Sequence, residues 1–375
     1  MQEYAEKKNN LERHITMEKA KGKKAVFFSL LAMMLMVMLI FFFKPQLGEP
    51  QFLAMPKTVT LLTSYERTIL MVENDFIPNA AKESLKRSLI AYTQYLVRVN
   101  DAPAPSIQKA RNDIKELMLN NSIDGQDISA REYGNIHILK NNTLQERLEL
   151  ISTLVNLTAN QNLTIVITGI SIFQSNTTGP FAISAQINYT LILNQSPAAV
   201  WKRHRSINVT TSIIGLNDTF YYFNTKQGSG IPVYRTYKPS RFTQWDHKNV
   251  SLHIKEKTYI PSVYGKKGLS YLQRLANTQE NPSLKDGISL TECCGLESFI
   301  HEDQGFKVYV GGRYQYKNTS FVDYCYFFEH CLTSGTSQGE QLLYTIRNIT
   351  TDDYPLRISS EQVGYYRLSL YAQID

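Results

Sequence analysis

"AISAQINYTLIL", residues 182–193, alternates apolar and polar side chains with a period of two. Ile183, Ala185, Ile187, Tyr189, Leu191 and Leu193 fall on one side, and Ser184, Gln186, Asn188 and Thr190 on the other. Successive side chains of a strand point to opposite faces, so this pattern predicts a half-buried strand. "SINVTTSI", residues 206–213, repeats it: Ile207, Val209 and Ile213 oppose Ser206, Asn208, Thr210 and Ser212. Two such strands predict an antiparallel sheet with one face on a core and one in water. Phe306–Val310 (FKVYV) and the series Tyr366, Leu368, Leu370, Ala372, Ile374 predict further strands, the second closing the chain. Residues 226–300 show little periodicity, and short helices such as Leu269–Leu275 are expected there.

Upstream the period changes to that of a helix. Ala81, Leu85, Leu89, Tyr92 and Leu96 share one face, as do Ile107, Ala110, Ile114 and Leu117, and Leu144, Leu148, Ile151 and Val155. Ser106 predicts the N-cap of the second helix, and Asn142 or Thr143 that of the third. Interruptions are expected around Pro78 and over residues 121–140. The expected class is α+β: amphipathic helices over residues 64–160, packed on a mostly antiparallel β domain over residues 161–375.

Residues 25–43 carry no charge. As a helix this run would span roughly 28 Å, close to a bilayer's hydrocarbon thickness. It is longer than a secretory apolar core and ends in Phe41-Phe42-Phe43-Lys44-Pro45, a poor cleavage site, so a single transmembrane helix is expected. Residues 1–24 hold seven cations (Lys7, Lys8, Arg13, Lys19, Lys21, Lys23, Lys24) and four anions (Glu3, Glu6, Glu12, Glu18), a net +3. Positive flanks stay inside, which makes residues 1–24 a cytoplasmic tail or leader and places the rest outside, after a Pro-containing linker over residues 44–63.

The triplet N-x-[ST] agrees with that orientation. It occurs at Asn120, Asn141, Asn156, Asn162, Asn176, Asn188, Asn194, Asn208, Asn217, Asn249, Asn318 and Asn348, all beyond the apolar run. Pro197 closely follows the triplet at Asn194, which leaves the other eleven as predicted glycosylation sites. Asn188 and Asn208 fall on the polar side of their strands, where a sugar could be carried. Cys293, Cys294, Cys325 and Cys331 also lie outside; an even number there predicts two disulfides. The favoured pairings join the 293/294 pair to Cys325 and Cys331. A zinc site using His330 is disfavoured, because adjacent cysteines and C-x5-C are not usual zinc spacings.

Composition narrows the function classes. The chain has 375 residues, 43% of them hydrophobic, and a net charge of +7. Subtracting the tail's +3 leaves +4 outside, too little to argue for nucleic acid. Gly335-Thr336-Ser337-Gln338-Gly339 matches G-x-S-x-G, but no histidine follows His330, so a Gly/Ser-rich loop is predicted. Trp201-Lys202-Arg203-His204-Arg205 is read as an exposed turn, and His301-Glu302-Asp303 as a solvated loop. No H-E-x-x-H, P-loop or dinucleotide fingerprint is present, and neither a catalytic residue nor a cofactor is predicted.

Lys23-Lys24-Ala25-Val26-Phe27-Phe28 and the apolar run after it resemble the class III signal of archaeal type IV pilin-like proteins. The resemblance implies a prepilin-type cut at Ala25–Val26, with Lys24 as the preceding charge and Ala25 where glycine is more usual. Ser212–Tyr222 and Gly295–Ile300 (GLESFI) are similar to segments of archaeal membrane proteins that share this stem and carry no known activity. The expectation is therefore a single-pass, membrane-anchored extracellular glycoprotein of the pilin-like class, with a structural, adhesive or assembly role. Its partners would be the lipid bilayer and copies of itself or other surface proteins. The alternative expectation is a membrane-tethered enzyme acting on envelope polymers; a sensor subunit fits less well with a 24-residue tail.

Overall fold

The computed structural model describes residues 65–130, 136–159, 161–175, 177–195, 199–262, 268–278, 294–300, 320–328, 344–347, 349 and 355–374. Tyr65–Asp375 cluster as one compact α+β unit. Among the described residues no helix is long and apolar enough to cross a membrane; Ala25–Phe43 lies outside them.

A long helix, α1, runs over residues 65–100. Its α-helical body Ile77–Tyr95 lies between π-helical turns Val72–Phe76 and Leu96–Asn100. The interruption expected at Pro78 does not occur. A proline inside a helix lacks an N–H and crowds the carbonyl four residues back. The π turn lies just there, and the Ile77 N–H reaches back five residues to Val72 O, so the wider turn accommodates the ring. Ala81, Leu85, Leu89 and Tyr92 are completely buried, as their shared face predicts. Helix α2 spans Ile107–Asn120; Ser106 Oγ accepts the Lys109 N–H at 3.0 Å, and Asn121, in the left-handed region, ends it. Helix α3 spans Leu144–Ala159. Thr143 is its cap: Thr143 Oγ1 accepts from the Glu146 N–H and Glu146 Oε2 accepts from the Thr143 N–H, a reciprocal box.

Three long strands follow: β1 (Asn162–Phe173), β2 (Ala182–Gln195) and β3 (Ala199–Ser212). They form an antiparallel meander with β2 in the centre. Ile183, Ala185, Ile187, Tyr189, Leu191 and Leu193 are all buried on the face covered by the helices. The opposite face carries Asn162, Gln186, Asn188, Asn194, Ser206 and Asn208 in the open. Trp201–Arg205 is not a turn but part of β3. Trp201 stacks on Tyr65 with ring centroids 5.0 Å apart, and buried Glu73 on α1 draws in Arg205 at 3.3 Å and Arg203 at 3.8 Å. A carboxylate on the covering helix lets two arginines occupy the inward side of a strand.

The rest of the unit is built from short pieces. Helices α4 (Thr219–Ser229), α5 (His247–Glu256) and α6 (Tyr271–Ala276) sit within the aperiodic stretch. A second sheet orders Ala372–Ile374, Tyr344–Ile346, Leu356–Ile358, Ser320–Val322 and Phe299–Ile300, with one parallel pair, Leu356–Ile358 against Ser320–Val322. The closing strand expected over Tyr366–Ile374 is shorter: Ala372–Ile374 alone is extended, behind a helix over Ser360–Tyr365. Tyr366 and Leu368 turn into the core, Tyr366 donating to Glu297 Oε1 at 2.7 Å, while Leu370 is exposed. Alternation over so few residues does not separate a strand from a turn that buries every second side chain. Phe306–Val310 lies outside the described residues.

Candidate functional site

The densest chemistry in the described chain is a buried charge cluster. Asp218 caps α4, accepting the Phe220 N–H at 3.1 Å. Its two carboxylate oxygens also accept from Tyr237 Oη (3.0 Å), Tyr259 Oη (2.7 Å) and Arg274 Nη1 (2.8 Å). Arg274, on α6, sends Nη2 to Asp323 Oδ2 at 2.6 Å and to the Leu296 carbonyl at 3.0 Å. Asp323 Oδ1 accepts the Tyr324 N–H at 2.8 Å. A second guanidinium, Arg235, donates to Tyr221 Oη, Ser298 Oγ and the Phe299 carbonyl. Aromatic faces close the cluster: Arg274 lies 5.0 Å from the Phe220 ring centre, and Arg235 4.6 Å from that of Tyr221.

Two guanidinium groups and two carboxylates balance in charge. Burial works against the Arg274 cation, but Asp323 and Asp218 outweigh it and hold its pKa well above the ordinary value. Burial raises the Asp323 pKa, against the pull of Arg274. Burial, then the Asp218 charge, push Tyr237 and Tyr259 well above a normal phenol. Every oxygen and nitrogen named above has a partner inside the protein, so the cluster acts as a clasp, joining α4, α6, Leu296–Ile300 and the helix that begins at Asp323. Ser212–Tyr222 and Gly295–Ile300 meet at it. Sequence reasoning missed the cluster, although each charge sits alone in an apolar window, as in LNDTFYY and LQRLA.

Beside the cluster, His253 is buried with Nδ1 on Thr258 Oγ1 and Nε2 without a partner among the described residues. Burial, then the nearby Arg235 charge, lower its pKa to about 3.

Asp113, Glu116 and Asp124 bring carboxylates together at the end of α2. Lys109 Nζ bonds Asp113 at 2.5 Å and Asp124 at 2.8 Å, while Glu116 accepts from Ser122 Oγ and the Asp124 and Gly125 N–H groups. An ammonium and a turn of backbone already use these oxygens.

A groove of about 980 Å³ lies between α1, α3 and the adjoining ends of β2 and β3. Its floor is apolar, with Ala80, Ile151, Phe181 and Ala182, and Lys82, Lys86 and Arg147 stand around it.

The predicted acceptor asparagines are mostly on the surface. Asn120, Asn141, Asn156, Asn162, Asn188, Asn208 and Asn217 are exposed, and so is Asn194. Asn249 is half-buried, its side-chain amide donating to the Gln244 carbonyl at 3.0 Å. Asn162 and Asn194 sit directly opposite each other on β1 and β2. Asn188 faces Gly169, whose missing side chain leaves the Asn188 amide nitrogen uncovered on that side. Cys294 and Cys325 are fully buried and disulfide-bonded. Asn176, Asn318, Asn348, Cys293, Cys331, Lys24, Ala25, Val26, His301–Asp303 and Gly335–Gly339 lie outside the described residues.

Against this geometry, no protein-family model, curated protein or solved structure matches the chain.

Proposed function

We propose that this protein is a membrane-anchored extracellular glycoprotein, held by Ala25–Phe43 with its N-terminus in the cytoplasm, and structural, adhesive or assembly-related in role. The pilin-like stem resemblance and the flank charges motivate the anchor. The observation that carries the glycoprotein reading is the exposure of seven predicted acceptors, two of them, Asn188 and Asn208, in the middle of long strands on the sheet's wet face. A residue in mid-strand is half the time inward, where a glycan could not be carried, yet these acceptors face out.

Glycopeptide mass spectrometry on protein from its native cells tests the reading. Sugar masses are expected on the peptides carrying Asn188 and Asn208, with lower occupancy at Asn249, whose amide is engaged. Bare asparagine at every triplet would remove the glycoprotein reading.

A further inference from the structure

We propose that the groove between α1, α3 and the ends of β2 and β3 is a docking site for an acidic, amphipathic helix of a partner polypeptide.

The first support is an exposed apolar helix face. On α3, Leu150, Leu154 and Leu157 are 59%, 50% and 78% exposed. Their spacing of four and three places them on one stripe, beside the face that Leu148, Ile151 and Val155 bury. An exposed leucine ridge of this periodicity is the surface that a second helix covers, ridges into grooves. Leu150 also lines the groove, together with Phe76 from α1 and Ile214 beyond β3, both substantially exposed. Stripe and groove therefore share an apolar wall.

Charge selects the partner. Lys82 and Lys86 are one helical turn apart on α1 and exposed, and neither forms an ion pair among the described residues. Glu83, the acidic residue between them, is taken by Arg87 at 3.0 Å. Arg147 gives one N–H to Asn142 Oδ1, and its buried Nε has no hydrogen-bond partner among the described residues. The groove thus sets two ammonium groups, unpaired among the described residues, beside an apolar floor. Carboxylates flanking an apolar stripe would meet both ammonium groups.

Two other occupants fit less well. A second copy facing the groove with this same surface would set its own Lys82, Lys86 and Arg147 against the first set, cation against cation. A bilayer surface is flat; it would reach the lip and Leu157 but not the recessed floor at Ala80, Ile151 and Ala182.

The test uses the full chain in nanodiscs of zwitterionic phosphatidylcholine. The probe is a fluorescent 18-residue helical peptide with a leucine stripe flanked by glutamates; its twin carries lysine at each glutamate. Fluorescence anisotropy is expected to show the acidic peptide binding at least about tenfold tighter than its twin. The Lys82→Glu/Lys86→Glu double variant should reverse that preference, and Leu154→Asp should abolish binding. All these positions are on the surface, and circular dichroism checks that each variant keeps its fold. Equal binding of the twins, or binding untouched by the variants, overturns the proposal. A photo-crosslinker at position 154 in native cells adds an independent arm. Capture of an acidic amphipathic segment of another protein supports the proposal; capture of the same chain or of lipid overturns it.

Discussion

Arg274 and Asp218 meet at 2.8 Å with neither side chain exposed to solvent. Arg274 meets Asp323 in the same way at 2.6 Å. One guanidinium thus bridges two buried carboxylates, each fixed by a helix start. Desolvating such a triad is costly, and losing one member costs more than the intact set gains, because a charge is left unpaired. Arg274→Leu is therefore expected to destabilise the protein by about 3–5 kcal/mol. Arg274→Lys, which cannot fork to both carboxylates, should recover only part of that. Chemical unfolding of the two variants beside wild type is the check; a loss under 1 kcal/mol for Arg274→Leu would show that the cluster does not clasp the fold.

His253 sets an acid dependence. Its pKa is lowered to about 3 in the folded protein from an ordinary value near 6.5. The unfolded chain therefore binds a proton that the folded chain refuses between those values. Stability from this residue is complete above about pH 6.5 and is lost as pH falls, at about 1.4 kcal/mol per pH unit. Asp323 acts the other way, since its raised pKa favours the protonated folded state over part of that range. The comparison of stability between pH 6.5 and 4.5 in wild type and His253→Gln isolates the histidine. The variant should show a shallower acid slope, and an unchanged slope would contradict the assignment.

How much of this was legible in the sequence follows from range. The strands β2 and β3 and the caps Ser106 and Thr143 depend on neighbours within a few positions, so alternation and spacing revealed them. Pro78 misled because the compensating π turn depends on backbone relaxation, not on residue type. Trp201–Arg205 misled because its inward arginines are made tolerable by Glu73, about 130 positions earlier in the chain. The clasp was invisible for the same reason. Arg274 is 56 residues from Asp218 and 49 from Asp323, and only folding brings them together. A lone charge in an aromatic window was the available signal, and it does not name its partner.

Gly295 and Gly268 provide a steric test. A Cβ on Gly295 would lie 2.4 Å from the Gly268 carbonyl oxygen, backbone that has no flexible end to yield. That approach lets the Ser262 N–H reach the Gly295 carbonyl at 2.8 Å. Gly295→Ala should cost about 1–3 kcal/mol, the range for forcing atoms into packed space. Gly125→Ala serves as a contrast. Its Cβ would meet nothing, so its cost comes from the positive φ of 74° alone. Equal thermal shifts in the two variants would contradict the steric account.

The disulfides are expected to join the 293/294 pair to Cys325 and Cys331, closing a loop of about 30 residues. Chain entropy then gives roughly 3–4 kcal/mol for the first bridge, and less for a second closing nearly the same loop. Non-reducing peptide mapping should find the Cys293 and Cys294 peptides linked to those of Cys325 and Cys331. A vicinal Cys293–Cys294 bond would contradict the pairing.

The central claim is that Ala25–Phe43 crosses the membrane and that everything beyond it faces outward. Protease added to intact cells, followed by mass spectrometry of the released peptides, tests it most directly. The account predicts release of peptides from the Tyr65–Asp375 unit, with residues 1–24 recovered only after lysis. Protection of that unit in intact cells, with digestion only once the membrane is broken, would contradict it.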